Sequence, residues 1–472
     1  MPFKTLLLIS ALALTACQTV PATPRTAPFE GAVLRAAERS NAPGIVGAIL
    51  RDGQVVEMFA WGGADCAGGG VANPFASYEI GSISKHITAV ALLQLWERGQ
   101  VDLEAPVGRY LNDIPEAWRA VTLRQLLTHT SGVPDYEEAG GYGIYETEPT
   151  PAQVYDIVDD RPLDFEPGTR WTYSNTGYFL LSLVVQRVSG ERFGDYLRNH
   201  LFAPLGMEHS FMGGYAPAGA VLAQGCQPGE GEGAPRLQVR PIHESSTFGA
   251  GGISSTLEDW AKWDEALHSG RILSARGMEL LFTPQVLPNG ENTGYAFGMG
   301  IDEFRGMGRR SHNGQTQGFV ADYAYYPDRN VSIVAFANTY HGGLPTVGEA
   351  LALRAIPELS YDRLPAAADP DPSRTALVRR ALRQAVLGEQ PFDLLDPDTL
   401  RFATEAGFAA DRTLMAPYVA NMRSFDYIQQ QTVPGADGPR HLYRVTTNDG
   451  DTAYFRIGWH EGKLHRIRWD DE

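Results

Sequence analysis

The chain has 472 residues, 43% hydrophobic and 20% charged, the balance of a globular protein with room for one large domain and a smaller one. Its formal net charge of -17, with no compensating basic run, excludes a surface built for nucleic acid or anionic lipid. Beyond residue 20 no apolar stretch is long enough to cross a bilayer, and the 11 histidines and 3 cysteines show no metal-ligand spacing.

Residues 1–17 read as a targeting segment, with Lys4 as its positive start and an apolar core from Thr5 to Leu14 too short to span a membrane. Leu14-Thr15-Ala16 before Cys17 resembles a bacterial lipoprotein signal, which implies lipidation of Cys17; an ordinary secretory signal is the alternative. Gln18, and no Asp, after the cysteine implies sorting to an outer membrane. Residues 18–28 form a Pro/Ala/Thr tether. These features predict an exported protein held at the membrane only by an N-terminal lipid. Cys66 and Cys226 either pair in an oxidising compartment or stay as two buried thiols.

Ile45–Leu50 and Val55–Trp61 are strand-like runs joined by Arg51-Asp52-Gly53-Gln54, a strong hairpin signal. Gly81-Ser82-Ile83-Ser84-Lys85 then opens a helix that is apolar nearly all round from Ile87 to Trp96, so it belongs in the centre of a domain; Gly99 stops it. A serine and a lysine three apart share one helix face, and the helix start gathers unpaired N–H groups and positive dipole. Burial there disfavours an ammonium and turns lysine into a base for its neighbour's hydroxyl. Alone, the tetrad also reads as a serine N-cap.

Residues 100–290 are mostly helical, including Leu123–Leu127 ahead of Thr128-His129-Thr130-Ser131-Gly132. A turn at Phe165–Thr169 precedes Trp171-Thr172-Tyr173-Ser174-Asn175, and an apolar helix from Phe179 to Val188 closes at Gly190. Residues 225–237 are expected as a solvated loop, and 249–256 as a loop leading to a helix capped at Ser255 or Thr256. Strands return at Phe297–Ile301, around His312, at Phe319–Tyr326 and at Val331–Ala337. Strands at both ends of a helical middle predict an α+β fold, one antiparallel sheet formed by the two termini of a domain over 29–362. A linker at 363–373 separates it from a small α+β domain over 374–472, with helices at Arg374–Leu387 and Asp396–Ala406 and four strands after them. The aromatics of that domain are assigned to its core, and its role is left unassigned.

Ser82-Ile83-Ser84-Lys85, Tyr173-Ser174-Asn175 and His312-Asn313-Gly314 occur in an order and at spacings similar to class C β-lactamases, DD-peptidases and related serine esterases. Leu126–Gly132, Pro167-Gly168, Pro204-Leu205-Gly206-Met207 and Gly318-Phe319 extend the resemblance over residues 30–360, and no Gly-x-Ser-x-Gly elbow competes. The resemblance implies an acyl-enzyme on Ser82, with Lys85 and Tyr173 sharing the proton transfers and Asn175 orienting Lys85. It implies an oxyanion hole from the N–H groups of Ser82 and Gln315 beside Gly314, a His312 that binds a substrate carboxylate or assists proton transfer, and no cofactor or metal. His129 is expected to bond loop backbone near the site.

The third motif departs from the Lys-Thr-Gly of true class C enzymes, and losing that fixed cation weakens a carboxylate-directed β-lactam site. An esterase or D-amino-acid amidase or peptidase is therefore the leading expectation, on a small-molecule or peptidoglycan-like substrate and without nucleic acid. A class C-like β-lactamase and a non-catalytic lipoprotein that binds cell-wall peptide are the alternatives. Oligomeric state is not legible.

Overall fold

The computed structural model describes residues 25–26, 31–158, 161–231, 234–340, 343–431 and 438–470. Cys17 and the rest of the expected targeting segment lie outside these residues. Arg25 and Thr26, expected in the tether, pair in parallel with Glu57 and Met58 at one edge of the main sheet.

That sheet has seven strands and joins both ends of the large domain. Gly44–Arg51 sits centrally, hydrogen-bonded to Gln54–Gly62 on one side and to Val331–Ala337 on the other. Val320–Tyr326, Met307–Gln315 and Gly300–Phe304 follow outward in antiparallel order. The expected hairpin turn forms with Asp52 and Gly53 both at positive φ. The strand expected at Phe297–Ile301 begins instead at Gly300, because Met299 and Phe297 are drawn into the core under the Ser84–Glu97 helix.

Side-chain alternation fills two layers. Val46, Ala48, Val334 and Phe336 face the helical middle, whereas Ile45, Ile49, Ile333 and Ala335 face the helices Gly31–Arg39 and Leu344–Ala355. The Ser84–Glu97 helix lies in the first layer, buried from Ser84 through Leu93. Around it, polar caps fix where helices start. Thr122 and Gln125 form a reciprocal capping box for Leu123–Leu127, and Thr256 caps Leu257–His268 through the Asp259 N–H.

Cys66 and Cys226 are disulfide-bonded, with Cα atoms 5.5 Å apart. The bridge ties the Gly-rich turn after the first hairpin to the 225–237 segment. That segment is not a plain loop, since Cys226–Gln227 and Leu237–Gln238 pair as a short hairpin.

Beyond Asp362 a separate small domain sets three helices, Pro372–Leu387, Pro397–Thr404 and Ala409–Ala420, against a four-stranded antiparallel meander. The last of these helices carries no sequence expectation, because Pro417, a helix breaker, falls within it. Tyr443, Tyr454 and Phe455 are fully buried, and Trp459 and Trp469 pack against that core. The 363–373 stretch is held against this sheet, where the Ala367 N–H donates to the Tyr427 carbonyl and Arg444 donates to the Leu364 carbonyl (3.5 Å).

Candidate active site

Ser82 stands in a 3₁₀ turn, Gly81–Ile83, that runs directly into the Ser84–Glu97 helix. Lys85, one turn on, is fully buried, with Nζ 3.0 Å from Ser82 Oγ. Nζ also donates to Asn175 Oδ1 and to the Ala250 carbonyl, each at 2.7 Å. Burial pulls the Lys85 pKa down to about 7, against the opposing pull of the Glu137 and Asp135 carboxylates. A neutral amine has two N–H groups, and two acceptors take them. Its lone pair is then left facing Ser82 Oγ.

Tyr173 precedes a helix that Ser174 caps through the Gly177 N–H, so Asn175 is the first helical residue and faces inward. Lys85 Nζ lies 4.7 Å from the Tyr173 ring centroid. The Asn175 N–H donates to Asp135 Oδ2. Asp135 caps the next helix, Tyr136–Gly140, through its other oxygen.

The third wall is the Met307–Gln315 strand. Its Gly314 is pressed against the turn that carries Ser82, and a methyl group there would lie 1.9 Å from the Ile80 carbonyl oxygen and 3.1 Å from the Ser82 nitrogen. A methyl group on Gly81, at φ +51, would lie 2.4 Å from the Gln315 nitrogen. Two glycines thus bring the Ser82 and Gln315 backbones side by side, as an oxyanion hole requires.

His312 is buried on this strand, its Nδ1 donating to the Asn313 carbonyl and its Nε2 accepting from Tyr295 at 3.0 Å. Burial, then the Lys85 charge, pull its pKa down to about 4. Well above that pH the ring is neutral and supplies no fixed positive charge.

Ser82, Tyr173, Asn175, Tyr295, His312, Gly314 and Gln315 line one cleft of about 610 Å³, which also includes Glu137, Asp322, Glu349 and Arg309. Arg309 is committed to Asp302 by two bonds, at 2.9 and 2.6 Å. Burial pushes the Glu137 carboxyl up despite a hydrogen bond from Tyr145, and it pushes Asp322 up to about 7. Among the described residues no group of three His, Cys, Asp or Glu is placed to hold a metal ion.

Ser82, Tyr173, Asn175, His312, Gly314 and Gln315 therefore all meet in this cleft, and Lys85 bonds Ser82 and Asn175 from its buried side. The sequence reading left Asp135, Glu137, Ala250 and Tyr295 without roles. Pro134-Asp135 ahead of Tyr136-Glu137-Glu138 is a legible N-cap signal, but nothing in a single chain tells that its second oxygen binds Asn175.

The Beta-lactamase family matches residues 29–356. A putative penicillin-binding protein, PbpX, of Bacillus subtilis (strain 168) is 30% identical over 61% of this chain and 69% of its own length. A D-aminopeptidase of Brucella canis is 26% identical over 63% of this chain, which spans only 56% of that relative. The crystal structure of a D-stereospecific amidohydrolase from Streptomyces sp. superimposes with a TM-score of 0.57 and 27% identity, covering 68% of this chain and 97% of that one. The family match and the cleft agree: this chain belongs to the beta-lactamase family and is a serine hydrolase of amide or ester bonds.

Proposed function

We propose that the chain cleaves amides or esters of D-amino acids that carry a free α-ammonium group, through an acyl-enzyme on Ser82. The observation that carries this reading is the charge of the cleft. Three acidic side chains, Glu137, Asp322 and Glu349, which a substrate cation would help to ionise, line it against one arginine already paired to Asp302, and the third-motif histidine is neutral. A substrate ammonium would draw Glu137 into its ionised form, regaining part of what burial costs it. The likeness to a D-stereospecific amidohydrolase and a D-aminopeptidase supports the D configuration.

In this reading neutral Lys85 accepts the Ser82 proton as Oγ attacks the carbonyl carbon. The developing oxyanion receives the N–H groups of Ser82 and Gln315. Tyr173 passes the proton to the leaving amine or alkoxide. Water then adds to the acyl carbon and gives its proton to Lys85, which returns it to Ser82 Oγ as the acyl bond breaks and the acid leaves. His312, neutral, orients the cleft wall through Tyr295 rather than pairing with a carboxylate.

Purified protein with matched D- and L-alanine p-nitroanilides, p-nitrophenyl butyrate, an N-acylated D-alanyl-D-alanine and a chromogenic cephalosporin tests this. The reading expects turnover of the free-amine D substrate well above its L and N-acylated counterparts. Preference for the N-acylated dipeptide would assign a carboxypeptidase. Fast cephalosporin turnover would assign a β-lactamase, and ester turnover alone an esterase.

Export with a lipid on Cys17 is part of the same proposal, supported by the disulfide. Labelled palmitate should enter the wild-type protein and not Cys17→Ser; equal labelling of both would end the anchor reading.

A further inference from the structure

His129 sits in a left-handed backbone conformation, φ +57, uncommon outside glycine although asparagine, aspartate and histidine adopt it more readily than other residues. That conformation turns its carbonyl and its imidazole toward the same stretch of chain. The Thr172 N–H donates to the His129 carbonyl at 2.9 Å, and the Ser174 N–H donates to His129 Nδ1 at 3.1 Å. One residue therefore grips the backbone on both sides of Tyr173. Its ring also lies 4.3 Å from the Tyr173 ring, centroid to centroid, and 4.8 Å from that of Tyr295. The whole residue is 1% exposed.

We infer that His129 is a positioning residue for the reaction, fixing the Tyr173 phenol against Ser82 and Lys85 from behind. The inference rests on the reading that Tyr173 carries a proton. The chemistry of imidazole suits the task. Nδ1 must stay unprotonated to accept the Ser174 N–H, which places the ring proton on Nε2. Burial above all holds the ring well below its ordinary pKa, so the acceptor persists whatever the state of Lys85. Alanine would leave the Ser174 N–H without its partner and open a void behind the Tyr173 ring. Asparagine keeps an acceptor oxygen and tolerates the left-handed backbone, but fills less of the aromatic stack.

The test is a double-mutant cycle on His129 and Tyr173, with kcat and KM for p-nitrophenyl butyrate and the rate of Ser82 labelling by a fluorophosphonate as readouts. His129→Ala is expected to lower kcat by ~10- to 100-fold, the scale of a reacting group misplaced by about 1 Å, with KM nearly unchanged. His129→Asn is expected to recover most of that loss. In a Tyr173→Phe background, with no phenol left to position, His129→Ala should cost less than about twofold. An equal loss in both backgrounds overturns the positioning role, as does a loss confined to KM or a failure of Asn to rescue. If Tyr173→Phe is itself as active as wild type, the proton-carrying reading of Tyr173 fails, a separate result. If His129→Ala does not fold, the cycle is run with His129→Asn, whose smaller loss must vanish in the Tyr173→Phe background.

Discussion

Gly314→Ala is the sharpest probe of the geometry, because the structure sets the size of the disturbance. The added methyl would stand 1.9 Å from the Ile80 carbonyl oxygen, where real contacts stop near 3.0 Å, so one backbone must retreat by about 1.1 Å. The Ile80 carbonyl carbon at 2.9 Å and the Ser82 nitrogen at 3.1 Å are also within reach, so the retreat separates the two N–H groups meant for the oxyanion. Losing one such donor costs ~10²–10³ in kcat. Overpacking costs a further ~1–3 kcal/mol of stability, too little to unfold a domain of this size. Steady-state kinetics on a p-nitrophenyl ester, beside a melting curve, would measure both effects. We expect kcat to fall by ~100-fold or more with KM within a few-fold and the fold retained. A variant within threefold of wild type would refute the placement of the oxyanion hole between the Ser82 turn and the His312 strand.

Other expectations follow from charge and covalent structure. With Lys85 near 7, the amine is protonated below that pH and cannot accept the serine proton, so kcat/KM should rise with pH through about 7 and then level. Activity that falls as Lys85 loses its proton would instead mark it as the cation beside a Tyr173 phenolate. Glu137 raises the Lys85 pKa, so Glu137→Gln should move the acid limb to lower pH and weaken binding of free-amine substrates; an unmoved limb would contradict both. The Cys66–Cys226 bridge spans 160 residues of sequence, and removing it with paired serines should cost about 2–4 kcal/mol in urea unfolding. An unchanged midpoint would show that the loop it closes is already ordered without it.

Much of this site was legible in the chain because its parts obey local rules. A helix apolar on every face has to be central, and a serine and a lysine three apart have to share its surface. The hairpin at Asp52-Gly53 and the cap at Thr256 were equally local. What escaped was tertiary. Ala250 contributes only a carbonyl, which every residue has, and Tyr295 acts through a hydroxyl that reaches His312 across the cleft. Asp135 shows its capping role in sequence but not its second bond to Asn175, 40 residues away. For His312 the sequence leaves carboxylate binding and proton transfer both open, whereas burial, and then the Lys85 charge, lower its pKa to about 4, a packing effect that no local pattern reveals.

The central claim is that Ser82, activated by Lys85, is the nucleophile. Intact-mass and peptide mapping after brief exposure to a fluorophosphonate, in wild type, Ser82→Ala and Lys85→Ala, test it most directly. The account predicts one adduct, on the peptide containing Ser82, absent from Ser82→Ala and formed far more slowly in Lys85→Ala. An adduct on another residue, or hydrolysis that survives Ser82→Ala, would contradict it.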